Sequence, residues 1–367
     1  TYAGLLVGFV FMALEIHGCP VSTSGPRIDL ITLPRIINHM SEQMLDLEMI
    51  DASTSVVKEC LDLKPGEEVL VVTDARKVGV GRNIATAANA AGATTTMSVM
   101  PLLESHGNEP PDVVADAMVA ADVAFTCTTH AITHTRSRLR AAEAGTRFGI
   151  LRGVTEEMMV EGAMTVDFEE LRRITEGLRD IHDAASEVRV TSKQGTDITF
   201  SVDGCSAFSL DGYYHEAEGF ATLPPGESPT HPKEDTANGT IVFDVSMDNL
   251  GQLDEPITLE IEDGFVSDVD GGSQADELRE LIEQSDENAG NLAEFAMGTN
   301  PKAKLIGNLA EDKKRSGTVH FAIGDNESLG GTRKSDIHLD GVVRTPTVEL
   351  DGETVVENGH LLTEKFL

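Results

Sequence analysis

Histidine and carboxylate residues of the kind that bind metals stand out in the second half of the chain. His338 and Asp340 form an HxD sequence, so in a strand both side chains project from one face. His320 lies within a β-type run, Glu227 ends a Pro-Gly turn, and Glu294 lies between apolar neighbours. A carboxylate among apolar residues is costly unless it is paired or ligated. Imidazole and carboxylate together suit zinc, cobalt, manganese or iron, so these residues are candidates for a divalent-metal site.

Each of these residues also has an ordinary structural explanation. Glu227 is compatible with an exposed position after a turn, and Glu294 with the solvent face of a helix. His320 is compatible with a hydrogen-bonded core histidine, and HxD is a short and common sequence. Spacing alone therefore leaves both interpretations open.

The first half of the chain predicts the α/β part of the scaffold. Apolar β-branched runs alternate with segments of helical periodicity. Strands are predicted at 67–73, 94–100, 123–127 and 148–152, and helices at 50–63, 83–91, 110–120, 135–144 and 168–185. This order predicts an open, mostly parallel sheet with flanking helices over residues 44–185.

The pattern changes near residue 186, where apolar and polar residues begin to alternate with period 2. Strands are predicted at 187–192, 196–202, 240–245, 257–261, 319–323 and 347–350, and helices at 274–284 and 290–297. Residues 186–367 are therefore expected to form an α+β metal-binding catalytic domain. The apolar run at residues 1–14 is too short to span a bilayer and has no basic region before it, so it is neither a membrane span nor a secretory signal. Residues 1–43 are expected to be an extension outside the fold, because Met40 and Met44 lie just before the first well-formed helix.

Acidic residues dominate the charge balance, with 62 Asp and Glu against 28 Lys and Arg and a net charge of −34. Such a surface repels nucleic acid and anionic membranes, so neither is an expected partner. Because the acidic residues are scattered along the chain, they favour adaptation to high salt over a local site for a cationic partner. The 4 cysteines show no disulfide or CxxC spacing, which indicates a cytoplasmic protein.

A glycine pair, Gly79 and Gly81, follows the first predicted strand and offers a different interpretation. Glycine-rich turns between a strand and a helix bind dinucleotides when they read GxGxxG. The sequence here reads GxGR, so a nucleotide-binding protein is only a weak alternative.

Longer motifs in the second half resemble a known family. They are LPPGE at 223–227, GNLAEFAMGTNP at 290–301, GTVHFAIGDN at 317–326, HLDG at 338–341 and PTVELDG at 346–352. From residue 44 to 362 the chain is similar to the leucyl aminopeptidase family of the aminopeptidase T type. The resemblance implies a homodimeric, metal-dependent hydrolase that removes N-terminal, leucine-like residues from peptides. It also implies that two divalent ions (zinc, cobalt or manganese) bind to Glu227, Glu294, His320, His338 and Asp340, with Glu227 or Glu294 moving protons.

The segment after His320 departs from this family, because members carry a tyrosine at the metal site that is absent here. Asp325 or Glu327 is then a candidate partner for a second ion. A related branch of the superfamily contains dihydroxypyridine dioxygenases, which hold one iron with two histidines and an aspartate. In that branch a histidine replaces the glutamate of the GNLxEF segment, so Glu294 favours the peptidase side. A single-iron ring-cleaving dioxygenase is therefore one alternative function, and a non-catalytic metal- or ligand-binding protein is another.

Overall fold

The computed structural model describes residues 44–215 and 219–367. Residues Leu45–Leu367 form one compact unit. The predicted extension, residues 1–43, lies outside the described residues, and the predicted domain division near residue 185 stays a prediction. Within the described ranges, no helix combines the length and apolar character needed to cross a bilayer.

Short strands and helices alternate along the described chain. The strands are β1 Glu68–Asp74, β2 Thr94–Met100, β3 Val123–Cys127, β4 Arg147–Ile150, β5 Glu187–Ser192, β6 Asp197–Ser201, β7 Phe220–Thr222, β8 Glu227–Thr230, β9 Asn238–Phe243, β10 Ser246–Met247, β11 Gly251–Gln252, β12 Ile257–Glu262, β13 Phe265–Asp270, β14 Leu292–Gly298, β15 Val319–Gly324, β16 His338–Val343, β17 Pro346–Leu350, β18 Glu353–Glu357 and β19 His360–Leu361. The helices are α1 Ile50–Ser55, α2 Val78–Ala90, α3 Asp112–Ala120, α4 Arg136–Glu143, α5 Glu156–Glu161, α6 Phe168–Asp183, α7 Ser273–Gln284 and α8 Leu309–Asp312.

A parallel sheet with strand order β2-β1-β3-β4-β7 is covered by helices on both faces. Successive side chains of a strand point to opposite faces. Val69 and Val71 of β1 accordingly share a core with residues of α2 and α6, whereas Leu70 and Val72 pack with residues of α3 and α4. Burial on both faces explains why the central strands β1 and β3 are rich in apolar residues. The predicted α/β architecture of this half is confirmed.

The two glycines considered as a nucleotide-binding turn lie inside helix α2. A Cβ atom at Gly81 would lie 3.2 Å from the Thr73 Cβ atom of strand β1. Glycine at this position lets the helix backbone approach the sheet closely. The sequence interpretation of Gly79 and Gly81 as a turn is therefore wrong.

Two antiparallel sheets make up the rest of the fold. A six-stranded sheet has the order β11-β10-β16-β15-β14-β8, and an eight-stranded sheet has the order β13-β12-β9-β6-β5-β17-β18-β19. One core, including Phe200, Phe295 and Phe321, joins residues of both sheets. Their rings make edge-type or tilted contacts, with centroids 5.2 to 6.1 Å apart.

The segment predicted as a helix at residues 290–297 is instead strand β14, so that prediction is wrong. Its leucine, alanine, glutamate and methionine residues favour helices in isolation. In the fold, every residue from Leu292 to Gly298 is buried, and β14 pairs with β15 on one side and β8 on the other. Tertiary packing and two rows of ladder hydrogen bonds outweigh the local propensity.

Candidate metal centre

The six-stranded sheet has one apolar face and one charged face. Phe295, Phe321 and Leu339 belong to the core that it shares with the eight-stranded sheet. Because side chains alternate along a strand, the neighbouring Glu294 and Asp340 project from the opposite face. Four adjacent strands, β16, β15, β14 and β8, therefore present their functional side chains into one space.

Small residues leave room for these side chains in the strand register. Residues directly opposite each other in an antiparallel pair have neighbouring Cβ atoms, so a large partner would crowd the site. The small partners are Ala296 opposite His320, Ala322 opposite Asp340, Gly324 opposite His338 and Gly298 opposite Glu227, while Val342 is the partner of His320 on β16. The functional groups thus meet diagonally across the sheet.

The turn before β8 fixes the position of Glu227. Gly226 adopts a φ of +114°, a conformation that residues with a Cβ atom rarely adopt. A Cβ atom at this position would also lie 2.7 Å from Asn300 Cβ. The side-chain amide of Asn300 donates to the carbonyl oxygen of Pro225 at 2.9 Å, which holds the turn against the end of β14.

Glu294 lies at the centre of the charged face. Its Oε1 is 3.1 Å from His320 Nε2, and its Oε2 is 3.1 Å from His338 Nε2. His338 Nε2 is also 3.5 Å from Asp340 Oδ1, and His320 Nε2 is 3.7 Å from Glu227 Oε2. Ligand atoms of Glu294, His320 and Asp340 lie within 4.8 Å of one another, close enough to contact one ion.

A backbone carbonyl orients the most accessible histidine. His338 Nδ1 is 2.7 Å from the carbonyl oxygen of Asp325, so Nδ1 carries the proton and donates this hydrogen bond. Nε2 is then the ring nitrogen that faces the site, and a metal ion bound there would take the place of the Nε2 proton that Glu294 accepts. Asp325 therefore contributes to the site through its main chain. Glu327, the other residue considered for a second ion, is exposed.

The donor atoms fit a metal ion. Asp340 Oδ1 and Glu227 Oε2 are buried and accept no hydrogen bond from any described residue. Buried acceptors without a partner are rare, because desolvation of a carboxylate is costly. A cation beside Asp340 Oδ1 and the two Nε2 atoms would satisfy that oxygen, whereas Glu227 Oε2 lies 3.9 Å from the Lys313 ammonium group.

Mutual charge interactions strongly perturb the pKa values in the cluster. Burial raises the pKa of Glu294, but its hydrogen bonds to His320 and His338 outweigh burial and hold the pKa well below its usual range. Burial lowers the pKa of His338, but the adjacent Asp340 and Glu294 carboxylates raise it well above its ordinary value. The carboxylates are therefore ionised and ready to bind a cation.

Two lysines complete the charged face, and the sequence analysis missed both. They follow helix α8, and their side chains are only 16% and 2% exposed for Lys313 and Lys314. Lys313 Nζ is 2.8 Å from Asp340 Oδ2, and Lys314 Nζ pairs with Glu227 Oε1. The available signal was a basic run, Lys313-Lys314-Arg315, in a chain with few basic residues.

A cavity of about 690 Å³ opens above the charged face. Its walls include the apolar side chains of Phe208, Leu210, Phe220, Leu223 and Pro229. The carboxyl end of β4 and the loop after β3 contribute Arg152 and His134, which the sequence analysis did not single out. The cavity therefore combines a charged floor with largely apolar walls, an arrangement typical of small-molecule sites.

The structure brings all five sequence-predicted residues together. His320 and His338 each contact Glu294, His338 also approaches Asp340, and Glu227 approaches His320 from the edge strand β8. Two histidines and carboxylates on an α/β scaffold form a ligand set that proteins use to hold a catalytic metal. The class defined by fold and site is thus that of metal-dependent enzymes.

Comparison with known proteins identifies the family. The model of the family described as "NicX: 2,5-dihydroxypyridine 5,6-dioxygenase" matches residues 48–363, so the chain belongs to this family. A curated 2,5-dihydroxypyridine 5,6-dioxygenase from Pseudomonas putida KT2440 is 30% identical over 191 residues, which cover 48% of this chain and 55% of the relative. The alignment thus spans about half of that relative's length.

Two solved structures have a similar fold. The 2,5-dihydroxypyridine dioxygenase from Pseudomonas putida KT2440 superposes with a TM-score of 0.73 at 23% identity, covering 86% of this chain and 97% of that chain. Wild-type AmpT from Thermus thermophilus gives a TM-score of 0.63 at 17% identity, covering 86% of this chain and 99% of that chain. The mixed α/β fold and the superfamily inferred from sequence are confirmed.

The predicted activity is wrong. The sequence resemblance implied a metallo-aminopeptidase, a hydrolase of the protease class, but the matching family and the curated relative are dioxygenases. The likeness to AmpT extends to the fold alone. The motifs quoted for the aminopeptidase include strands β8, β14, β15 and β16 of this chain, and one fold can host different reactions.

Proposed function

We propose that this chain is a single-iron dioxygenase that cleaves a small hydroxylated nitrogen heteroaromatic ring of the 2,5-dihydroxypyridine class. The observation that carries the proposal is the meeting of two histidines and an aspartate, with His338 and Asp340 lining an open cavity and His320 buried behind them. Two histidines and one carboxylate with open positions are typical of non-haem ferrous oxygenases. Family membership supports the same reaction. One ferrous ion replaces the two zinc, cobalt or manganese ions expected from sequence.

The residues that would hold the ion are His338, Asp340 and His320, with Glu294 beside them. Ferrous iron bound there would supply the redox chemistry that activates dioxygen. The chain contributes orientation: the Asp325 carbonyl fixes the tautomer of His338, and the burial of His320 and Asp340 excludes water from their side of the site. His338, the most exposed ligand, marks the side open to the cavity.

The proposed reaction balances without an external reductant. One carbon–carbon bond of the ring breaks, and the two atoms of dioxygen become bonded to the two carbons that were joined. The electrons come from the ring itself. A substrate with an electron-rich, hydroxylated ring meets this requirement.

The cavity walls suit a flat ring. Phe220, Leu223 and Pro229 present apolar surface for ring stacking and packing. His134 lines the same cavity, and its ring meets the edge of Phe220 with centroids 6.2 Å apart. Burial, followed by the charges of Arg138 and His338, lowers the pKa of His134 below its usual value. A neutral His134 is available to accept a proton from a ring hydroxyl at neutral pH.

The test is dioxygen uptake by protein loaded anaerobically with ferrous iron in molar salt, with 2,5-dihydroxypyridine as substrate. We expect uptake to accompany loss of the ring absorbance, and neither to occur with zinc in place of iron. His338→Ala should abolish both, and the matched variant of an exposed histidine, His360→Ala, should retain both. Iron-loaded wild-type protein that leaves this ring intact would contradict the proposal.

A further inference from the structure

The charged face contains two resident cations beside the metal ligands. Lys313 Nζ lies 2.8 Å from Asp340 Oδ2 and 3.9 Å from Glu227 Oε2, which places the ammonium group between two carboxylates. Lys314 Nζ contacts the other oxygen of Glu227 from the protein interior. Both carboxylates are at least 97% buried at the side chain (3% and 2% exposed), so water screens these pairs much less than it screens surface pairs.

The ligand atoms divide into two groups. His320, His338 and Glu294, together with Asp340 Oδ1, surround one position. Glu227 and the opposite oxygen of Asp340 face a second position, which the Lys313 ammonium group occupies. Two divalent ions a few ångströms apart normally share carboxylate ligands such as these. A positive side chain at the second position competes with an ion for the same oxygens.

We propose that the ammonium group of Lys313 takes the place of a second divalent ion, while Lys314 holds Glu227 in its ion pair. The chain then binds one divalent ion per molecule, and Glu227 serves as the counter-ion of the lysines. This inference rests on the proposed metal site, and it does not depend on the ring-cleaving reaction.

The net charge of the buried site is compatible with one bound divalent ion but not with two. Three carboxylates, Glu227, Glu294 and Asp340, face two ammonium groups. This leaves a single negative charge once a bound ion has displaced the proton of His338 and both histidines are neutral. One divalent ion nearly balances this buried charge. A second ion would leave a strong excess of positive charge in a site of low dielectric, at a large electrostatic cost.

The experiment is a binding titration with Co²⁺, which is stable in air and gives a visible spectrum for each occupied site. Wild-type protein in molar salt should bind one Co²⁺ per chain, measured by calorimetry and by elemental analysis after desalting. Lys313→Gln removes the resident charge and retains a polar side chain of similar length. It should bind a second Co²⁺ and show a second set of visible bands.

The matched control is Lys302→Gln, which changes an exposed lysine just after β14 and should bind one Co²⁺ as the wild type does. Two ions in the wild type, or one ion with unchanged affinity in Lys313→Gln, would overturn the proposal. If Lys313→Gln does not fold, the number of Co²⁺ ions bound per wild-type chain tests the proposal, and two ions would contradict it. A Co²⁺-loaded crystal of the wild type adds a second criterion, because Lys313 Nζ must remain within hydrogen-bond distance of Asp340.

These results are separable from those that test the reaction. One bound ion without dioxygen uptake would retain the role of Lys313 and contradict the ring-cleaving function. Two bound ions would contradict the role of Lys313 whether or not dioxygen is consumed.

Discussion

The two faces of the six-stranded sheet use histidine in opposite ways. On the apolar side, His182 of helix α6 is buried against Phe295, with ring centroids 5.5 Å apart, and its Nδ1 lies 3.2 Å from Ser228 Oγ. Burial lowers the pKa of His182 to about 4, so it is a neutral core residue. On the charged side, His338 meets carboxylates and its pKa is raised. Whether a buried histidine is a neutral core residue or a candidate metal ligand therefore depends more on its contacts than on its burial.

The largest expected effect is on the charged face. Asp340→Asn keeps the size of the side chain and removes the charge that a metal and Lys313 both contact. Because loss of an outer partner of a metal ligand costs about 10–100-fold, loss of a proposed ligand should lower iron affinity and turnover by at least about 100-fold. Elemental analysis and dioxygen uptake measure this. Asp254→Asn, at an exposed position, should behave as the wild type, and equal iron retention by the two variants would contradict the proposed ligand.

Phe321→Ala tests the apolar face. Phe321 is fully buried between the two antiparallel sheets, so its truncation should cost about 3–5 kcal/mol in the free energy of unfolding. Urea titration in molar salt measures the cost, and Phe321→Leu should cost less because it leaves a smaller cavity. In the folded fraction, metal stoichiometry should not change. Loss of metal without loss of stability would show that the two faces are not independent.

The neutral histidine predicts a defined pH dependence. The pKa of His182 is about 4 in the folded state, where burial lowers it and Asp183 and Ser228 only partly oppose the shift, and is roughly 6.5 in the unfolded chain. The unfolded state therefore binds more protons between these values. The stability contribution is fully present above pH 6.5 and is lost as the pH falls toward 4, by about 3 kcal/mol in total.

Comparison with His182→Gln isolates this contribution from the many carboxylates that titrate nearby. The variant should lose less stability than the wild type between pH 6.5 and 4 in urea titrations, whereas His360→Gln at an exposed position should follow the wild type. Parallel pH curves for His182→Gln and the wild type would show that His182 is not a neutral core histidine.

The smallest expected effect concerns the residue that links the two metal-site histidines. Glu294→Gln retains hydrogen-bonding capacity but removes the negative charge between His320 and His338. We expect iron affinity to fall about 10–100-fold, measured by competition with a chelator. Glu283→Gln, an exposed change on helix α7, should leave the affinity unchanged. An unaltered affinity in Glu294→Gln would place Glu294 outside the metal site.

Local patterns were sufficient to predict the residues of the charged face but not their full environment. The HxD spacing and the β-type run around His320 require only the period of a strand, so both were correct. Strand β14 was mistaken for a helix because its composition favours helices and only pairing with β8 and β15 reverses that preference.

The rest of the site depends on contacts between distant parts of the chain. Lys313 meets Asp340, and strand β7 joins the parallel sheet beside β4, only through the folded topology. The catalysed reaction was the property least predictable from sequence, because one fold can host different reactions. The predicted homodimer and the predicted salt adaptation stay predictions, as does the cytoplasmic location.

Incorporation of labelled dioxygen tests the central claim most directly. Iron-loaded protein is supplied with ¹⁸O₂ and 2,5-dihydroxypyridine, and the product is analysed by mass spectrometry. The proposed function predicts a ring-opened product that contains both atoms of one dioxygen molecule. An intact ring, or a product whose added oxygen comes from water, would contradict the assignment of this site as a ring-cleaving dioxygenase.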